Sequence, residues 1–195
     1  MRVARIVFGV IGLLIGVALV VGGIAGVVQD RDADDFFVTD TDRFERSSFA
    51  IVSEATDVLT DAPGWVADLV LDPVDIKVSG SSNSGSSLFL GVASSTDVES
   101  YLANVAHDEV DGVRFEGSAI DYRHVPGTST PASPGTQTFW VTSVEGTGLQ
   151  TLNWSAEQGA WSVVVMNADG AAGVDAELVR GVRVSNIVTV MRVAL

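Results

Sequence analysis

The sequence predicts an all-β protein, an antiparallel β-sandwich of jelly-roll-like type with one short helix, preceded by a single transmembrane helix. Three observations lead to this prediction. An uninterrupted apolar run near the N-terminus is long enough to cross a bilayer. Beyond it, short apolar segments recur with turn signals between them, which is typical of a sandwich or barrel. One central segment has the apolar spacing of a helix instead.

The predicted membrane helix covers residues 6–28 (IVFGVIGLLIGVALVVGGIAGVV), which include no charged side chain. A helix of this length rises ~34 Å, and the hydrocarbon core of a bilayer is ~30 Å thick. Arg2 and Arg5 precede the run and acidic residues follow it, so residues 1–5 are expected in the cytoplasm. The expected localisation is the cell membrane, with a single pass, the N-terminus inside and the C-terminal domain extracytoplasmic.

A cleaved signal peptide is the alternative interpretation of the same run. Gly23-Ile24-Ala25 places small residues at a spacing that suits a signal peptidase. The apolar core of a signal peptide is ~7–15 residues long, so the greater length of this run favours an uncleaved anchor. The lipid bilayer is then the first expected partner.

Two glycine pairs within the predicted membrane helix have GxxxG spacing, Gly12 with Gly16 and Gly22 with Gly26. Because glycine has no side chain, such pairs let two helix backbones approach closely in lipid. Glycine is also frequent in membrane helices that do not associate. The four glycines are therefore candidate packing positions, and a homodimer or an envelope protein is a further expected partner.

Acidic side chains outnumber basic ones, with 25 Asp and Glu against 11 Lys and Arg and a formal net charge of -14. Nucleic-acid binding through a basic face needs clustered Lys and Arg, so nucleic acid is excluded as a partner. The chain has no cysteine, which excludes disulfides, thiol nucleophiles and thiolate zinc sites. Residues 29–35 (QDRDADD) are predicted to be a solvated acidic linker.

Residues 36–184 are expected to form the sandwich, and residues 185–195 a C-terminal tail. The separators 145–148 and 156–159 have the length of hairpin loops, so the strands around them are expected to pair in sequence. Trp140, Trp154 and Trp161 lie on these strands and are expected to anchor the core. The predicted strands are short apolar or alternating runs at residues 37–39, 49–52, 75–79, 88–93, 113–115, 120–125, 139–144, 149–154, 161–166 and 177–184.

The helical segment is predicted over residues 96–106. Thr96 is placed to cap its N-terminus, and Glu99 stands where the acidic partner of a capping box belongs. Apolar side chains follow at i, i+3, i+4 and i+7 spacing, which puts one face against the sheet. These side chains are Val98, Tyr101, Leu102 and Val105.

Three segments resemble a group of actinobacterial membrane proteins: LFLGVASSTDVESYLANVAHDEV, QTFWVTSVEGTGLQTLNW and GAWSVVVMNADGAAGVDA. The resemblance covers roughly residues 36–184. It implies an N-terminal membrane helix, an extracytoplasmic β-rich domain and, in many relatives, a second membrane helix near the C-terminus. It carries no activity and no catalytic residue. The residues after Gly181 (VRVSNIVTVMRVAL) are too few and too charged for a second pass, so one pass is expected.

The candidate chemistry lies in the run VAHDEV, where His107, Asp108 and Glu109 are contiguous. They are weak candidates for metal ligands, because one histidine followed by adjacent carboxylates is not the spacing of a known closed site. The favoured interpretation places His107 just after the predicted helix, where an imidazolium interacts favourably with the helix dipole. His124 alternates with Tyr122 and is expected on a strand face.

The sequence thus predicts a membrane-anchored extracytoplasmic β-sandwich that acts as a binding or structural module of the cell envelope. No catalytic residue, cofactor or enzymatic activity is predicted, because no GxSxG, HExxH or GxGxxG motif is present. The alternative is an envelope hydrolase or a cation-dependent binding domain centred on the His107 region. A cleft joining His107 to a serine hydroxyl and a second acid would favour the hydrolase.

Overall fold

The structure of the protein, a computed structural model, describes residues 37–38, 41–53, 56–58, 74–113 and 120–184. The described chain is mostly β-strand in two sheets with one short α-helix, in agreement with the predicted all-β sandwich. The predicted membrane run with its four glycines, Gly12, Gly16, Gly22 and Gly26, lies outside the described residues, as do the acidic linker and residues 185–195. None of the described residues belongs to a helix that is long and apolar enough to cross a membrane.

Helix α1 (Ser95–Tyr101) follows the sixth strand, and a 3₁₀ turn (Pro134–Thr136) precedes the ninth. The strands of the described ranges are β1 Phe37–Val38, β2 Asp42–Arg46, β3 Ala50–Ser53, β4 Thr56–Val58, β5 Val74–Ser82, β6 Leu88–Ser94, β7 His107–Val113, β8 Ile120–Val125, β9 Thr142–Gly146, β10 Gln150–Ser155, β11 Gly159–Asn167 and β12 Val174–Val184.

The strands form two sheets. The first has the order β1-β12-β5-β10, and β2 pairs with β12 on the same side as β1. The second has the order β8-β7-β3-β11-β6-β9, and β4 pairs with β11. Strands β3 and β7 are parallel, which differs from the purely antiparallel sandwich that the sequence predicts. A parallel pair needs a long crossover, and here the chain between Ser53 and His107 provides it by passing through both sheets and α1.

The prediction that β10 forms hairpins with β9 and β11 is wrong. Strand β9 pairs with β6 in the second sheet, whereas β10 pairs with β5 in the first, so residues 147–149 cross from one sheet to the other. The chain crosses back between β10 and β11. A four-residue separator with glycine suits either a hairpin or a crossing. The crossing places Leu152 and Trp154 in the core between the sheets.

The main core lies between the two sheets and takes buried side chains from both. Trp154 is buried, and its ring centroid lies 5.4 Å from that of the half-buried Trp161 of the opposite sheet. Burying one large aliphatic side chain contributes about 1.5–3 kcal/mol, so the many buried side chains of this layer strongly stabilise the packing of the two sheets. Its buried members are Phe44, Ile51, Val78, Leu88, Leu90, Val92, Leu152, Trp154, Ala156, Val165, Val174, Ala176 and Leu178.

A second apolar layer covers the outer face of the second sheet. Helix α1 and the loop of residues 126–141 pack on this face. Trp140 belongs to this layer rather than to a strand, with its ring centroid 5.0 Å from Phe89. Burial beneath the loop raises the pKa of Tyr101 to about 12. The buried members are Ala50, Val52, Phe89, Ala93, Val98, Leu102, Val105, Val164 and Met166.

Helix α1 is shorter than predicted and is capped by a different residue. The Ser94 hydroxyl, rather than that of Thr96, accepts the Asp97 backbone N–H at 3.2 Å. Leu102 forms the C-cap, and Asn104 then takes a positive φ of 59°, so the helix cannot continue to residue 106. The predicted apolar face is nevertheless correct, because Val98, Leu102 and Val105 are buried on the sheet.

Replacing Gly91 of β6 by Ala is expected to destabilise the fold. A Cβ there would lie 2.7 Å from Phe89 Cε1 and 2.8 Å from Trp140 Cε3, inside the outer layer. Overpacking of this kind costs about 1–3 kcal/mol, which urea denaturation can measure.

Gly146→Ala is the matched control on the adjacent strand β9. Its Cβ would meet only the flexible end of Gln150, so the free energy of unfolding should change little. Equal effects of the two substitutions would show that Gly91 does not lie under a packed layer.

Candidate functional site

His107, Asp108 and Glu109 of the run VAHDEV lie on β7, which pairs with the edge strand β8 of the second sheet. Asp108 is the direct cross-strand partner of His124, and Glu109 is the partner of Arg123. Successive side chains of a strand point to opposite faces. Asp108 and His124 therefore share the face toward the first sheet, and His107, Glu109 and Arg123 share the outer face.

On the inner face, the Asp108 carboxylate is buried and both of its oxygens have partners. Its Oδ1 lies 3.0 Å from His124 Nδ1, and its Oδ2 accepts a hydrogen bond from the Ser48 hydroxyl at 2.6 Å. Ser48 lies in the bend between β2 and β3 and is itself buried. A buried carboxylate is costly unless it is paired and hydrogen-bonded, so these two contacts are what permit Asp108 in this position.

The order of these three groups determines what they can do chemically. In a serine hydrolase the imidazole stands between the hydroxyl and the carboxylate, so that it can remove the hydroxyl proton. Here the carboxylate stands in the middle, and Ser48 directs its proton toward Asp108. The Ala50 carbonyl is the more distant acceptor for this hydroxyl, at 3.1 Å. The arrangement therefore orients His124 and holds Ser48, but it does not activate Ser48 as a nucleophile.

The His124 ring is held at one nitrogen and open to water elsewhere. An ionised carboxylate only accepts hydrogen bonds, so Nδ1 of His124 carries a proton in this contact. The side chain is 57% exposed, whereas that of Asp108 is 8% exposed. A solvent-facing imidazole fixed by a buried acid can accept or donate a proton or a hydrogen bond to a bound molecule.

On the outer face, His107 is held in a different way. Its Nδ1 lies 2.8 Å from the Val105 carbonyl oxygen and must be the donor there. Its Nε2 lies 3.6 Å from Glu109 Oε1, and Glu109 forms an ion pair with Arg123. The main charge partner of Glu109 is thus Arg123.

The three weak metal candidates are not brought to one point. His107 and Glu109 lie on the outer face, and Asp108 lies on the inner one. Across the ranges that the structure describes, no three His, Asp or Glu side chains form a group capable of holding a metal. The expected position of His107 at a helix end is wrong, because α1 ends at Tyr101 and His107 begins β7.

Sequence reasoning missed Ser48 and the role of His124. The alternation of Tyr122 and His124 with period two did place His124 on a strand face, as observed. The missing information was the register between β7 and β8, which joins Asp108 to His124. Ser48 precedes an apolar strand in a serine pair and gives no signal of its own in the sequence.

The comparisons with known proteins leave the function open. No known protein family matches the sequence. No curated protein matches it either. A similar solved structure, described as "BiXyn10A CBM1 APO", is 11% identical, with 56% of this chain and 50% of that chain covered and a TM-score of 0.19. The chain thus spans about half the length of that structure, and a likeness at this TM-score carries no conclusion.

Replacing Asp108 by Ala is expected to lower the free energy of unfolding by about 2–3 kcal/mol, since hydrogen bonds to a charged group contribute about 1.5–3 kcal/mol. In His124→Ala, water can replace the exposed imidazole at Asp108 Oδ1, so this substitution should cost less than about 1 kcal/mol. Urea denaturation of both variants measures the difference. If His124→Ala lowered the free energy of unfolding more than Asp108→Ala, the conclusion that the buried Asp108 is the main stabilising member of this group would be contradicted.

Proposed function

We propose that the protein is a membrane-anchored, extracytoplasmic β-sandwich that acts as a binding or structural module of the cell envelope. The observation that carries the proposal is the uncharged run of residues 6–28, with Arg2 and Arg5 before it and an acidic segment after it. A run of this length suits a membrane span, and the basic flank favours a cytoplasmic N-terminus.

The outer face of the first sheet supports an aqueous setting for the sandwich. Arg43 donates two hydrogen bonds to the Asp175 carboxylate, from Nε at 3.1 Å and from Nη2 at 2.9 Å. Asn83 donates a third to the same carboxylate. The hydrogen bond from Arg43 is the main reason why the pKa of Asp175 is lowered. Charged groups on a sheet face are costly in lipid and ordinary in water.

The arrangement of Ser48, Asp108 and His124 favours a binding or structural module over a hydrolase. Asp108 stands between Ser48 and His124, so the hydroxyl is bonded to the acid rather than to the imidazole. The cation-dependent alternative has less support as well, because Asp108 and His107 point to opposite faces of the sheet. What the edge does offer is an oriented, exposed imidazole, which suits recognition of a ligand.

Protease treatment of intact cells tests the proposed topology. The full chain carries one epitope tag at its N-terminus and another at its C-terminus, and protease is added from outside. We expect loss of the C-terminal tag through cleavage in the predicted acidic linker at residues 29–35. The N-terminal tag should remain on a short membrane-bound fragment.

Digestion after detergent lysis is the control, in which both tags must disappear. Protection of the C-terminal tag in intact cells would overturn the extracytoplasmic assignment. Loss of the N-terminal tag from mature protein before any protease is added would show that a signal peptide is cleaved instead.

A further inference from the structure

The first and the last of the described strands lie side by side in the first sheet. Strand β1 pairs antiparallel with β12, and Phe37 lies opposite Val182. Because the two strands run in opposite directions, the chain enters β1 at the same end of the sandwich at which it leaves β12 after Val184. We call this end, marked by Phe37 and Val184, the proximal end. The predicted linker of residues 29–35 and the tail of residues 185–195 therefore attach to neighbouring strand ends.

The point at which the tail leaves the sandwich is firmly held. Val184 pairs with Val74 at the start of β5. Arg183 donates two hydrogen bonds to Asp75 Oδ2, from Nε at 3.3 Å and from Nη2 at 2.9 Å. The Ser155 hydroxyl of β10 donates to Asp75 Oδ1 at 2.7 Å. Three neighbouring strands thus fix the position from which residue 185 departs.

The proposed membrane span of residues 6–28 brings the proximal end close to the bilayer. Residues 29–36 separate the span from β1, and an extended chain rises at most about 3.6 Å per residue, so this end lies within about 29 Å of the apolar layer. The tail of residues 185–195 starts there and can extend to about 40 Å, so it reaches the bilayer. The opposite end of the sandwich lies about 36 Å away along β12.

The tail, SNIVTVMRVAL, has the residue pattern of a short amphipathic helix. Ser185, Thr189 and Arg192 follow i, i+4 and i+7 spacing, which places them on one helical face, and Val193 is the apolar side chain nearest to them. The segment contains a basic residue and no acid, although the whole chain has a net charge of -14. Apolar side chains occupy the opposite face: Ile187, Val188, Val190, Met191, Ala194 and Leu195.

We propose that residues 185–195 bind the surface of the bilayer as an interfacial segment, with the apolar face in the lipid and Arg192 among the headgroups. Helices with this division of side chains lie in the membrane interface, and a basic residue there is attracted to anionic lipid. The inference rests on the proposed membrane anchor and adds a second attachment at the same end of the sandwich. Two attachments at the proximal end hold the opposite end, toward which His124 lies, away from the membrane.

Spin labels on the full chain test this proposal, because the protein has no cysteine of its own. Met191→Cys places a nitroxide on the apolar face of the tail, and Thr189→Cys places one on the polar face. Thr147→Cys, in the exposed segment between β9 and β10, labels the opposite end of the sandwich.

The labelled chains are reconstituted in vesicles of phosphatidylcholine and phosphatidylglycerol, and power-saturation EPR measures the access of two relaxing reagents. Oxygen concentrates in the bilayer, and a water-soluble nickel chelate is supplied on both sides of the membrane. We expect the ratio of oxygen to nickel access to be several-fold higher at position 191 than at position 147. The label at position 189 should give an intermediate ratio.

Two aspartate variants form a matched pair, each measured with the label at position 191. Val188→Asp puts a charge on the apolar face, where it is costly in lipid, so the high oxygen ratio should be lost. Thr189→Asp adds the same charge to the polar face and should leave the ratio high. Repulsion from phosphatidylglycerol affects both variants alike, so the difference between them reports the buried face.

Three results would overturn the proposal. Equal nickel access at positions 191 and 147 would place the tail in water. Exclusion of both reagents from position 191 would place the tail against protein, and equal oxygen ratios at positions 189 and 191 would show that the whole segment is immersed. Only vesicle-bound protein enters these measurements, so they report the tail, whereas failure of the protease experiment would concern the anchor and the side of the membrane.

Discussion

The centre of the second sheet is buried on both faces, and the rest of the structure depends on this constraint. The inner face of the sheet packs on the first sheet, and α1 and the loop of residues 126–141 cover the central strands on the outer face. A strand buried on both faces has no polar side to present to water. This explains why residues 88–93 form an unbroken apolar run in β6, and why small residues such as Gly91 and Ala93 lie there among large ones.

The same constraint places the polar chemistry at one edge. The centre of the second sheet, at β6 and β11, is mostly apolar on both sides and carries no charged side chain, whereas β7 and β8 carry both histidines together with Asp108, Glu109 and Arg123. Among these side chains, only that of Asp108 is buried between the sheets. Its burial is tolerated because Ser48 and His124 provide partners for both of its oxygens. The edge can therefore hold charged groups that would be too costly in the centre.

The sequence was sufficient for the features that depend on local pattern. Turn residues and apolar runs located most strands, the apolar spacing of Val98, Leu102 and Val105 identified the buried face of α1, and the all-β class followed from both. Strands β2, β4 and β7 were missed. In β2 and β7, the segments DRFER and HDEVDGV carry too many charges to be recognised as strands, and β4 is only three residues long. The charges on β7 are explained by its place next to the edge strand.

Features that depend on pairing could not be predicted. A separator of four residues suits a hairpin and a crossing between sheets equally, so β10 was assigned to the wrong neighbours. The contact between Asp108 and His124 depends on the register of β7 against β8. The contact between Arg46 and Tyr122 forms between strands that belong to different sheets. Neither pair is marked by its spacing along the chain, since nothing local relates their positions.

Native-state hydrogen exchange tests most directly whether the doubly buried sheet is the centre of stability. The backbone amides of β6 and β11 should exchange slowest, at the rate set by global unfolding, because both faces of these strands are covered. Amides of β8 should exchange faster, through local opening at the edge of the sheet. Slowest exchange in β5 and β12 of the first sheet, with early exchange in β6 and β11, would contradict this account.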